Sequence, residues 1–232
     1  MAKRNKEKRS TSKIFIFTEG EKTEINYIKG YIKAKNYPMT RFVLRQPENH
    51  VPYGLLKEVR KTKKKKQCKF ENGDIIWLVF DRDKHDRIPA TYDEARNVGK
   101  IGIAFSAICF EVWLMLHFHN KIGPFSSCDE LRADKRFSDY IKDYEKNTGK
   151  IFDEVGGLYG LETAMKNAEK LIEEAEKGNP GRKIYEMNPY CNIHLLIKTI
   201  EEFFDDEKEL NVRLNSIKEL TQKSIFIQFR TP

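Results

Sequence analysis

Ile14-Phe15-Ile16-Phe17-Thr18-Glu19-Gly20-Glu21 and Ile75-Ile76-Trp77-Leu78-Val79-Phe80-Asp81-Arg82-Asp83 are the two stretches on which the fold turns. Each is a β-branched and aromatic run that stops at carboxylates. Such a run has no polar face to offer water, so it reads as a strand covered on both sides. In an extended chain alternate residues share a side, so Asp81 and Asp83 point together and Arg82 turns away. Two carboxylates so close, joined by Glu19 from a neighbouring strand, would repel unless a cation sits among them. Oxygen-only donors suit Mg²⁺ or Mn²⁺.

Working outward, strands and helices alternate. Strands are expected at 13–18, 41–44, 75–81 and 101–105, with helices at 23–35, 51–66 and 90–98 between them. Ile25, Ile28, Tyr31 and Ile32 recur at helical spacing, as do Leu55, Leu56 and Val59, and Thr23 can cap the first helix. This alternation predicts an α/β fold with a mostly parallel sheet flanked by helices. Ligands of such sheets lie beyond the carboxyl ends of the strands, where Glu19, Asp81 and Asp83 fall.

The next segment, Ile108 to Phe118, is apolar except for Glu111 and His117. An ionised carboxylate in such a helix is costly without a partner, so Glu111 is either a metal ligand or acid-base group, or a structural hydrogen-bond or ion-pair anchor. His117 and His119 stand two apart and face different ways on a helix, so they read as ordinary helix residues. Further on, Leu161 to Ala175 and Ile193 to Phe204 carry amphipathic stripes. Asn192 reads as the cap of the second and His194 as a surface residue off its apolar face, the alternative being that the two reach the active edge together. A charged helix within 205–219 and a strand at 224–229 complete the expectation. The chain thus divides into a basic arm (1–12), an α/β core (13–122) and a mainly helical elaboration (123–232).

Phe17-Thr18-Glu19-Gly20-Glu21-Lys22-Thr23-Glu24, Val79-Phe80-Asp81-Arg82-Asp83, the segment Phe105 to Phe118, and Asn188-Pro189-Tyr190-Cys191-Asn192-Ile193-His194 together resemble the RloB-like (AbiLii-like) phage-defence proteins. A strand ending in Glu-Gly, followed by one ending in Asp-x-Asp, also resembles the TOPRIM domain of topoisomerases, primases and some nucleases. The resemblance implies a TOPRIM/Rossmann-like core, a magnesium-dependent nuclease acting on DNA or RNA, and an ATPase as partner. Asp81, Asp83 and Glu19 would hold Mg²⁺ or Mn²⁺, with Glu19 and Glu111 as candidate catalytic groups. Two other readings stand beside it: a module that binds nucleic acid or the ATPase without hydrolysis, and a structural ion cluster pairing the acids with Arg82, Lys84 or Lys22.

Charge favours a polyanionic partner. The formal net charge is +8, yet residues 57–69 alone hold eight Lys or Arg against Glu58, and residues 1–13 hold six against Glu7. Lys61, Lys63, Lys64, Lys65 and Lys66 are therefore candidate nucleic-acid contacts, although lysine runs are often merely solvated. With 34% charged residues and no apolar run of roughly 18 residues, a cytoplasmic protein without a membrane span is expected. The four cysteines show no zinc-ligand spacing and read as reduced thiols. No G-x-G-x-x-G or G-x-x-x-x-G-K-[ST] is present, so no dinucleotide or NTP is held by a glycine-rich loop.

Overall fold

The computed structural model describes residues 11–20, 22–48, 51–82, 85, 87–98, 100–142, 144–145 and 148–205. The expected basic arm, Asp83, and the helix and strand expected beyond 205 therefore lie wholly or largely outside the described residues. Four parallel strands arise where the apolar runs predict them: β1 (Ile14–Thr18), β2 (Phe42–Arg45), β3 (Ile75–Asp81) and β4 (Ile101–Ala107). A two-residue strand, β5 (Tyr190–Cys191), joins β4 antiparallel and gives the order β2-β1-β3-β4-β5.

The connecting helices cover both faces, which is why the strands alternate between two apolar environments. Helix α1 (Thr23–Ala34) packs with Ile14, Ile16, Trp77 and Val79 on one face. Helices α2 (Pro52–Lys64) and α3 (Ile88–Val98) pack with Phe15, Phe17, Ile76, Leu78 and Phe80 on the other. Thr23 is the first helical residue rather than the cap; that position falls to Lys22, with no side-chain bond. Gly102 shows how closely the layers fit: a Cβ there would lie 2.5 Å from the Trp77 indole on the neighbouring strand.

After β4 the chain makes α4 (Glu111–Leu116), which starts three residues into the apolar segment 108–118 and ends two residues before its end. Short helices α5 (Cys128–Ala133), α6 (Lys135–Ser138) and α7 (Ile151–Glu154) lead to the long α8 (Gly157–Gly178). After β5, α9 (Ile193–Asp205) buries Ile193, Leu196, Ile197, Ile200 and Phe203 in the α1-side core. Among the described residues, no helix is long and apolar enough to cross a membrane.

Chain direction fixes what stands at each end of the sheet. β1 feeds β2 through α1 on one face, and β2 returns past β1 to β3 through α2 on the opposite face. The order of winding therefore reverses between β1 and β3, and the crevice beyond their carboxyl ends is where such sheets receive ligands.

Candidate functional site

Glu19 and Asp81 flank that crevice. The Glu19 amide donates to the Val79 carbonyl at 2.9 Å, extending the β1–β3 pairing one residue past Thr18. Strands lie about 4.8 Å apart with a rise of about 3.3 Å, so the two backbones stand within about 6 Å of each other. Asp81 is paired in register with Ser106 of β4 and is half-buried, while Glu19 is 9% exposed. The Glu19 carboxylate meets His85 Nε2 at 2.5 Å. Asp83, the third expected ligand, is outside the described residues.

Gly20 explains why glycine follows Glu19. Its carbonyl accepts from Thr18 Oγ1 at 3.1 Å and Gln46 Nε2 at 3.0 Å, and a Cβ at this position would overlap the Glu24 carboxylate. Glu24 lies in the first turn of α1, where the helix dipole favours a negative charge, and is nearly buried. It was not singled out among the candidates, although its place one turn into a helix that begins at the carboxylate edge is the signal that would have found it.

Glu111 is brought to the same end of the sheet but has its own partners. Its Oε1 accepts from Tyr144 Oη at 3.1 Å and faces Arg132 Nη1 at 3.5 Å. Tyr144 has one proton, which goes to the carboxylate, so Thr23 Oγ1 at 3.1 Å is the donor to Tyr144. Burial, with Glu111 and Glu24 beside it, pushes the Tyr144 hydroxyl well up and keeps it a neutral donor. A polar chain thus runs from Glu111 through Tyr144 to the first residue of α1. The anchoring reading of Glu111 accounts for its burial by these partners.

Cys109 and Cys128 correct the expectation of four reduced thiols: they form a disulfide, with Cα atoms 5.8 Å apart, while Cys68 and Cys191 are free and buried. Nineteen residues separate the pair, a distance at which spacing carries no signature. Cys128 Sγ lies 3.2 Å from Glu111 Oε2, but a disulfide sulfur has no proton to donate, so Arg132 and Tyr144 carry the carboxylate's compensation. Cys109, Glu111 and Cys128 are the one group of three potential metal ligands found among the described residues. Two sulfurs with one carboxylate do not fit Mg²⁺, whereas the oxygen donors Glu19 and Asp81 on adjacent strands do.

Of the two histidines read as ordinary helix residues, His117 is buried and His119 half-buried; His194 is buried as well. His117 Nδ1 lies 2.9 Å from the Val155 carbonyl, which can only accept, so Nδ1 carries the proton and Nε2 accepts from Tyr27 Oη at 3.0 Å. His194, expected at the surface, is 3% exposed because α8 and β4 close over α9. Asn192 does not spend its side chain on the helix; it spends it on β4. Burial pushes the His117 imidazole down to about 3. For His194, burial, helped by Lys198 and opposed by Glu169, pushes it down to about 4. Both rings are therefore neutral when folded and take up protons on unfolding, so their stability contribution is intact above about pH 6.5 and is lost as pH falls toward 4. Between pH 7 and pH 5 the unfolding free energy should drop by about 4 kcal/mol from these two groups together. Urea denaturation at both pH values checks this, and a drop that His194→Gln leaves unchanged would contradict it.

The lysines do not join the carboxylates. Helix α2 runs back across the sheet, so its last turn and the residues after it approach the amino ends of the strands. There the Lys69 and Lys13 amides both donate to Asp74, the residue preceding β3, at 2.7 Å. Lys61 pairs with Glu58 in the last turns of α2, Lys63 lies over the Phe70 ring, and Lys64, Lys65 and Lys66 are exposed beyond it.

A family model of RloB-like proteins matches residues 14–200 of the chain. No curated protein and no solved structure matches it.

Proposed function

Because the chain belongs to the RloB-like family, we propose that it is a metal-dependent nuclease of phage defence, with a TOPRIM-type site and an ATPase as partner. The observation that carries this reading is the placement of Glu19 and Asp81 on adjacent strands at the winding reversal, where a parallel sheet opens to ligands. Glu19 and Asp81, with Asp83, supply the oxygen donors for Mg²⁺ or Mn²⁺. When bound, such an ion polarises a scissile phosphate and lowers the pKa of an attacking water.

The chain's own residues orient this chemistry. The Glu19 amide bond to Val79 and the doubly held Gly20 carbonyl fix where the first carboxylate leaves the sheet. Glu19 would give up its contact with His85 to hold the ion, and the His85 ring would stay beside the site as a hydrogen-bonding group. Glu111, bonded to Tyr144 and Arg132, positions the start of α1 and through it Glu24. Its own role is then positioning rather than proton transfer.

The Glu19–His85 contact favours a second reading, in which the acids are internally paired and the domain binds without hydrolysis. Incubating the purified chain with labelled single-stranded DNA, duplex DNA and tRNA, with and without its ATPase, separates the two. Cleavage that requires Mg²⁺ or Mn²⁺ and stops with EDTA is expected. Intact substrates in every arm would favour the binding module.

A further inference from the structure

Three helices return to the amino edge of the sheet, and each is followed by a residue in the left-handed region. After α1 that residue is Asn36 (φ 54°), a type that tolerates the conformation. After α2 and α3 the corresponding residues are Lys66 (φ 52°) and Lys100 (φ 57°). Lysine gains nothing from this backbone, and the edge holds two of them, both exposed. Strain retained at such positions is a pointer to function.

The surrounding charge points the same way. Lys63 and Lys100 come from different elements, yet their ammonium groups lie 5.0 Å and 5.7 Å from the centroid of the same Phe70 ring. Lys64, Lys65 and Lys69 are exposed around them. Asp74, the acid closest to the strand ends, is turned inward onto the Lys13 and Lys69 amides, which leaves Glu71 as the outward acid of this turn. Of the exposed large apolar residues among those described, Tyr140, Leu158 and Tyr159 belong to other segments and Met39 stands before β2, separated from β3 by β1, so no apolar side chain is interleaved with these lysines as on a lipid-binding face. Repeated ammonium groups with no apolar complement suit the phosphodiester backbone of a nucleic acid.

This surface cannot be the cradle of the carboxylate crevice. Register places Lys100 beside Ile75, and β3 runs from there to Asp81, seven residues or about 20 Å. We propose that the amino edge of the sheet, carried by Lys63, Lys65, Lys66 and Lys100, is a separate nucleic-acid exosite that tethers a long substrate while another part of it occupies the crevice. The proposal deepens the nuclease reading and rests on it only for the tethering role; binding at the edge stands alone. Tethering raises the local concentration of substrate without touching the reacting phosphate. Long substrates should therefore show a raised KM and an unchanged kcat when the edge is neutralised.

The test uses the full chain with EDTA and fluorescein-labelled single-stranded DNA, single-stranded RNA and duplex DNA of about 30 nucleotides, read by anisotropy across a salt series. Lys63→Glu, Lys65→Glu and Lys100→Glu combined should weaken binding at least about tenfold and flatten the slope of log affinity against log salt by about 2. Asp81→Asn with Asp83→Asn should leave binding within about twofold, since the crevice is far from this edge. With metal present, the lysine variant should raise KM on the long oligonucleotide and leave turnover of a dinucleotide unchanged. Unaltered anisotropy in the lysine variant would overturn the proposal, and so would poly-glutamate competing as well as DNA at equal charge. Absence of cleavage by the wild-type chain would count against the nuclease reading alone, because the anisotropy arms do not depend on it.

Discussion

Asp81→Asn combined with Asp83→Asn should lower metal-dependent cleavage by about a hundredfold or more, the rate equivalent of about 2.7 kcal/mol of lost transition-state stabilisation. Asparagine keeps the shape of aspartate and removes the charge that holds a divalent cation. Asp81 closes β3, where its backbone pairs with Ser106 and the next amide donates to the Ser106 carbonyl at 2.9 Å. Those bonds do not involve the carboxylate, so the pairing of β3 with β4 should survive the substitution. Single-turnover cleavage with and without Mn²⁺, alongside a melting curve, measures both quantities. Full activity in the double variant would remove the enzymatic reading.

Asn192→Ala should be the most damaging single change to stability among the polar residues. Asn192 follows β5, which pairs with β4 only at Ser106 and Ala107. Beyond that point its side-chain amide takes the place of a strand: Oδ1 accepts from the Phe105 amide at 2.6 Å, and Nδ2 donates to the Ile103 carbonyl at 3.1 Å. The residue is fully buried, so alanine would take the acceptor from the Phe105 amide and remove the bond to the Ile103 carbonyl in a place closed to water. At about 1–3 kcal/mol each, the loss should be roughly 2–6 kcal/mol, a large part of a domain's usual 5–15 kcal/mol. Asn192→Asp should be no better, because a carboxylate can accept from Phe105 but only repel the Ile103 carbonyl. Chemical denaturation of the three proteins ranks them, and an alanine variant within about 1 kcal/mol of wild type would show that the amide's role is dispensable.

The strands β1, β3 and β4 were legible because burial on both faces leaves an apolar run with no alternation, and the carboxylates that end two of them mark the ligand edge. β5 was not, since two residues are too few to show a period. For the same reason Asn192 read as a helix cap: the residue type suits both roles, and only the position of β4 decides between them. His194 looked exposed because a single helix face was judged, whereas α9 is covered on more than one side. Glu111 announced that it needed partners, but Arg132 and Tyr144 come from a segment whose weak apolar pattern hid what it packs against. The lysine run showed its charge and concealed its place. A helix joining parallel strands must run back across the sheet, which carries Lys64 to Lys66 away from Asp81.

Titration calorimetry of Mg²⁺ and Mn²⁺ into the wild-type chain and into the Asp81→Asn, Asp83→Asn variant bears most directly on whether the acids at the winding reversal hold a metal ion. Saturable binding to the wild-type chain that disappears in the variant is the predicted result. Equal heats from both proteins, or none from either, would contradict it.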